Sequence, residues 1–224
     1  MSSKFRNGVY SVVLSEIPDV NGLAPAIDFG GITRIDAENR TIYVDAQATP
    51  PTTSPSTVAN SLQPSKVGGV DLTVRSELNN RLQFLCPQEF QVMPEDVIRV
   101  KYPSSQRPTV VFTNATGSVN VALNHTQSRV TPAQLPALGQ QMERTMRTIA
   151  SEWIATDSRM IGGVRWVILD NRTQAADTFL RNLMAITSFD NRALIVTFNA
   201  TAKDEAVWWP VGESIIQSLR LVSR

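Results

Sequence analysis

The spacing of apolar positions switches along this chain between a period of two and a period near 3.6, and it is most regular after residue 162. In Ala193–Phe198, Leu194, Val196 and Phe198 alternate with Ala193, Ile195 and Thr197, and neither set is polar in character. A strand with two such faces belongs inside a sheet that is covered on both sides. Phe189-Asp190-Asn191-Arg192 joins it to a second strand, Thr178–Ser188. Gly163–Leu169 forms a third, with Gly162-Gly163 read as a bend or bulge at its entry. The helical period appears twice. Leu135, Leu138, Met142, Met146, Ile149 and Trp153 make one stripe, so a helix is expected over Thr131–Ile154. Thr131 caps it, Pro132 suits its first turn and Gln134 completes a capping box. A last helix begins near Thr201 with Asp204 and Glu205 in its first turn, and it buries Val211, Ile215, Ile216 and Leu219. Pro210, well inside it, is expected to kink the helix or split it into two abutting pieces.

Before residue 130 the patterns are shorter. Val9–Leu14, Ile32–Ile35 and Thr41–Val44 read as strands, the last two as an antiparallel pair around Asp36–Asn39. Residues 47–69 are rich in Pro, Ser and Thr and nearly free of large apolar side chains, which leaves too little burial to offset the entropy of ordering them. The expected organisation is a small β-rich segment over 1–46, a linker over 47–69 and a main domain over 70–224. Within that domain, short apolar runs at Val70–Val74, Leu82–Leu85, Phe90–Val92 and Val97–Tyr102 precede a hairpin, Thr109–Leu123, turning at Asn114–Gly117. The order is then several strands, a long helix, three strands and a helix. This is an α+β fold with an antiparallel sheet sandwiched between helices.

Bulk numbers narrow the function classes. A net charge of +1 over 224 residues gives no electrostatic footprint for nucleic acid or for an anionic membrane. No window holds eighteen apolar residues, so no membrane-spanning helix is expected, and Val9–Leu14 is too short for a secretory core. The chain is therefore expected in the cytoplasm, or in the periplasm or cell envelope if a leader was removed. The single cysteine, Cys86, forms no internal disulfide. Asn-x-Thr sequons at Asn39, Asn114, Asn124, Asn171 and Asn199 are read as chance matches in an Asn- and Thr-rich chain.

Candidate chemistry is sparse. His125 is the only histidine, and a Cys86–His125 pair is the one nucleophilic arrangement available; Cys86 sits in the apolar run Phe84–Pro87, where it reads as a small hydrophobe. No metal-ligand spacing, phosphate loop or cofactor motif occurs, so neither a catalytic residue nor a cofactor is assigned. Trp153 and Trp166 fall on apolar faces and read as core. Trp208 and Trp209 are adjacent on a helix, about 100° apart, so one of them is a candidate partner anchor beside Pro210, with Arg107 and Arg165 as candidate rim contacts. The alternative is that both wrap over a sheet edge.

The order of Phe84…Pro87…Phe90, the hairpin Val110–Leu123, Ile161-Gly162-Gly163, the strand pair around Asp190-Asn191 and the ending Ile215–Leu221 resembles the PsbP-like superfamily over about residues 82–221. That group includes the photosystem protein PsbP, the yeast Ran-binding Mog protein, DcrB-type lipoproteins and the effector-associated chaperones of type VI secretion. The resemblance implies an antiparallel sheet between helices and a mostly non-enzymatic, protein-binding role. The expected function is a bacterial chaperone, adaptor or assembly factor whose partner is another protein, a second copy of the chain included. A periplasmic or surface lipoprotein with its leader removed is the alternative, and a hydrolase using His125 a more distant one.

Overall fold

The structure, a computed structural model, describes residues 62–102, 107–175 and 178–222, and the backbone of two strands in the N-terminal segment. Those two, β1 (Ile32–Asp36) and β2 (Thr41–Val44), pair antiparallel, as expected from the sequence. Val9–Leu14 and residues 47–61 lie outside the described residues. The domain then runs through β3 (Ser65–Val67), β4 (Val70–Glu77), β5 (Leu82–Pro87), β6 (Gln91–Val92), α1 (Glu95–Lys101), β7 (Val110–Thr113) and β8 (Val119–Arg129). A 3-10 turn at Pro132–Gln134 opens α2 (Leu135–Arg147), followed by β9 (Ala150–Ile161), β10 (Val164–Gln174), β11 (Phe179–Phe189), β12 (Arg192–Thr201), α3 (Ala202–Gln217) and β13 (Arg220–Leu221).

Two tight turns set the register of the central strands. Asp190 and Asn191 have φ of 53° and 54°, and Gly162 and Gly163 have 59° and 79°. Paired positive φ angles in a two-residue loop make a type I′ hairpin, which matches the strand twist. Gly162-Gly163 is therefore a hairpin turn between β9 and β10 rather than a bulge. The result is a seven-stranded antiparallel sheet in the order β6-β7-β8-β12-β11-β10-β9, beside a four-stranded sheet, β13-β5-β4-β3.

The two apolar faces of β12 go to two cores. Leu194, Val196, Phe198 and Ala200 join Trp166, Phe84, Val211 and Ile215 in the larger one, whereas Ala193 and Ile195 join Leu138, Met142 and Met146 of α2 in the other. The layer over the first face is composite, built from α3 together with the small sheet. The structure is thus a mixed α/β domain dominated by two antiparallel sheets, in place of the single sheet between helices expected from sequence.

Four further expectations change. The helix ends at Arg147, and Ile149 and Trp153, which continue its stripe, lie outside it: Ile149 is exposed and Trp153 stands on β9, partly buried against the α2 core with Arg147 over its ring. Pairing with β10 over a long register outweighs the local helical period. Val97–Tyr102 falls largely in α1, where Glu95 and Asp96 occupy the first turn and Arg99 and Lys101 the last. Ser65–Val67, within the expected linker, is the first strand of the small sheet and pairs with β4. Through Pro210, α3 runs as one helix.

A row of asparagines crosses the large sheet. Asn120, Asn199, Asn182 and Asn171 face one another in register on β8, β12, β11 and β10, each at most 2% exposed. Asn120 donates to Asn199 at 2.9 Å and Asn182 donates to Asn171 at 3.3 Å. The sequons at Asn171 and Asn199 are sealed inside the folded domain.

Candidate functional site

The best-built polar site lies where α3 leaves the sheet. Arg172 on β10 stands directly opposite Arg181 on β11, a cross-strand like-charge pair that is destabilising by itself. Glu205, in the first turn of α3, resolves it. Its Oε1 accepts from Arg172 at 2.6 Å and from Arg181 at 3.0 Å, and its Oε2 accepts from the Arg172 Nε at 3.2 Å. Arg181 also forks onto Asp170 at 2.8 and 3.1 Å, and Arg172 donates to Glu152 of β9 at 2.5 Å. Arg172 holds the Glu205 carboxyl below its ordinary value against the opposing effect of burial, and Arg181 adds to the shift. One turn on, the Trp209 ring lies 3.5 Å beneath the Arg181 guanidinium. Thr201 Oγ1 donates to Asp204 at 2.8 Å and closes the helix start.

Beside this fixed pedestal opens a cleft of about 530 Å3 lined by Ser151, Glu152, Arg172, Phe179, Ala202 and Glu205. Phe179 on its rim is 44% exposed, and on the outward side of α3 Val207 is 62% exposed, next to exposed Ala206 and Pro210. A helix face turned to solvent is ordinarily polar. This one carries an apolar strip.

Neither tryptophan projects freely. Trp208 packs on Phe90 with ring centres 5.3 Å apart, and Trp209 packs edge-on against Phe198 at 6.1 Å. Both are half-buried: α3 lies in the angle between the two sheets, so helix directions 100° apart each meet a wall. Arg165 is exposed on β10 beside the Gly162-Gly163 turn, and Arg107 lines a separate cleft of about 310 Å3 with Asn124, His125, Gln127 and Ser128. The two arginines and the tryptophans therefore do not form one site.

His125 lies within β8, opposite Leu194. Its Nε2 donates to the Phe189 carbonyl at 3.0 Å, and Nδ1 accepts from Arg192 at 2.8 Å, which defines a neutral ring with both nitrogens engaged. Cys86 is on the other sheet, fully buried, with its thiol pushed up to about 12 by burial, so no Cys86–His125 pair exists. Burial lowers the His125 pKa below its ordinary 6.5; the Phe189 contact opposes this and Arg192 reinforces it. The unfolded chain then takes up a proton that the folded chain resists. The stability contributed by this depression is complete above about pH 6.5 and is lost as pH falls from there toward the folded value. Denaturation midpoints measured between pH 7.5 and 5 are expected to fall more steeply for the native chain than for His125→Gln; parallel slopes would contradict this.

No family model and no curated protein matches the chain. Solved structures do. The cyanobacterial PsbP (CyanoP) of Synechocystis sp. PCC 6803 aligns with a TM-score of 0.50 and 15% identity, over 70% of this chain and 96% of that one. The fold is PsbP-like. LpqN of Mycobacterium tuberculosis, described as involved in cell envelope biogenesis, aligns at 0.43 with 9% identity, over 69% of this chain and 92% of that one. A protein of unknown function from Pseudomonas aeruginosa aligns at 0.38 with 18% identity, over 68% and 97%.

On this PsbP-like fold the pedestal residues Arg172, Arg181 and Glu205, and the exposed Phe179 and Val207, are the ones that sequence reasoning missed. One signal was available. Arg181 interrupts a strand whose neighbours Leu180, Leu183 and Met184 are apolar, and a guanidinium in such a strand needs a carboxylate supplied by another element.

Proposed function

We propose that the chain is a non-enzymatic protein-interaction module, an adaptor, chaperone or assembly factor. Its docking face is the outward side of α3 with the adjoining cleft. The observation that carries the reading is the apolar strip of Val207, Ala206 and Pro210, with Phe179, set beside ion pairs that hold α3 in place. An apolar centre with a charged rim on a fixed support is the anatomy of a protein-binding patch. The partner that fits is a protein segment that lies along the outward side of α3, with one apolar group against Val207 and another in the cleft against Phe179 beside Ala202, and with polar groups reaching Glu152 and Lys203. The PsbP-like fold agrees with this reading without specifying a partner.

The test is quantitative enrichment from native-host extract on the full chain, compared with Val207→Asp and Phe179→Asp. Both positions are exposed, so the variants are expected to keep the native melting temperature. A protein that co-purifies with the native chain and falls about tenfold or more with each variant is the expected result, a change of about 1.4 kcal/mol in binding. Equal recovery with all three chains rejects this face.

A further inference from the structure

Sheet edges in this domain are cut short, with one exception. At the edges of the two larger sheets, β6 has two residues, β3 three and β13 two, whereas β9 has twelve. Short edges prevent strand addition, and a long one invites it. The first part of β9 is blunted by register breaks opposite Asp170/Asn171 and Arg172/Thr173, but Ala155–Ile161 pairs with β10 without interruption. Ala155 to Ser158 are all exposed, and Met160 is 65% exposed.

The direction of the peptide groups follows from two contacts. Thr187 on β11 donates to the Arg165 carbonyl at 2.8 Å, which turns odd-numbered β10 residues toward β11 and even-numbered ones toward β9. Trp166 and Ile168 oppose Arg159 and Asp157, so those β9 residues use their peptide groups on β10. Thr156, Ser158 and Met160 are left facing outward. In agreement, the Ser158 N–H donates to the Asp157 side chain at 2.7 Å.

We propose that this edge is a self-association surface, on which β9 of a second copy pairs antiparallel about a two-fold axis at Ser158 and joins the two large sheets edge to edge. In that register Ser158 faces itself, Thr156 faces Met160, and Asp157 faces Arg159 of the second copy, twice by symmetry. Moving the axis by one residue sets Asp157 against itself or Arg159 against itself, so charge selects the register. In the isolated chain Asp157 accepts from its own Arg159 at 2.7 Å and from Ser158. On pairing, the Ser158 N–H passes to the facing Ser158 carbonyl, and the Asp157 carboxylate turns to the facing Arg159. The strip is narrow, which places the dimer at the weak end, with a dissociation constant on the order of 10 μM.

Sedimentation equilibrium of the full chain up to about 200 μM, well above that dissociation constant, tests this. A concentration-dependent dimer is expected, weakened about tenfold or more by Arg159→Asp and restored when Asp157→Arg is added. Ser158→Pro, which removes the central donor, is expected to abolish it. The Ser158→Cys variant should cross-link to a dimer with a short bis-maleimide, against a silent background because Cys86 is fully buried. A strict monomer, a dimer indifferent to the charge exchange, or a dimer that fails to cross-link through the Ser158→Cys thiols would each overturn the proposal. Val207→Asp is expected to leave the dimer intact, so the outcome is separable from the docking face on α3.

Discussion

Arg181→Met is expected to destabilise the folded chain by about 3 kcal/mol. The side chains of Arg181, Asp170 and Glu205 are only 17%, 11% and 16% exposed, so removing the guanidinium leaves charge that water reaches poorly. Among the described contacts Asp170 depends on Arg181 alone, through both carboxylate oxygens, whereas Glu205 keeps Arg172. The Trp209 ring also loses the cation stacked over it. A full buried-pair penalty is discounted here because the groups retain some solvent. A cycle with Asp170→Asn separates the causes. The amide removes the stranded charge, so the double variant is expected to be more stable than Arg181→Met alone, with a coupling of about 1–2 kcal/mol. Strict additivity in chemical denaturation would show that the pair contributes nothing.

That network also marks the limit of what the sequence makes legible. The two apolar faces of β12 are written locally, as is the turn Asp190-Asn191, and both survive in the structure with the cores divided as the alternation requires. The end of α2 is not written locally. Ile149 and Trp153 extend the helical stripe at the right spacing, and only the demand of β10 for a second neighbour converts Ala150–Ile161 into strand. In α1 the signals were present but outweighed by Val97 and Val100, since acidic residues open the segment and basic ones close it, with Arg99 hydrogen-bonded to Glu95. The juxtaposition of Arg172 with Arg181 depends on register, and the exposure of β9 depends on topology. No window of residues can display either one. Trp208 and Trp209 show the converse, because their adjacency is plain in sequence and their burial depends on a second sheet that composition does not reveal.

Gly212 carries the second large effect. A Cβ added there would lie 2.2 Å from Cδ1 and 2.4 Å from Cε1 of Phe198, well inside contact distance. Phe198 cannot yield easily, being fully buried on β12 and packed against Trp209. Nor can α3 withdraw, since Glu205 ties its first turn to β10 and β11, and Ser218 just past its end accepts from the Leu85 N–H of β5 at 2.8 Å. Alanine in a helix is otherwise favoured over glycine by about 0.5–1 kcal/mol, so the sign of Gly212→Ala is decided by whether overpacking exceeds that gain. A clash this deep between two immobile elements does, and a net loss of about 2 kcal/mol is expected, with a larger one for Gly212→Val. Phe198→Leu relieves the contact at the cost of its own cavity. In the Gly212→Ala background it should therefore cost less than it does in the native chain. Thermal denaturation of the four chains measures the difference. If Gly212→Ala melts higher than the native protein, α3 stands off the sheet by more than the structure shows, and the close seating that holds Trp208 and Trp209 against their two walls is wrong.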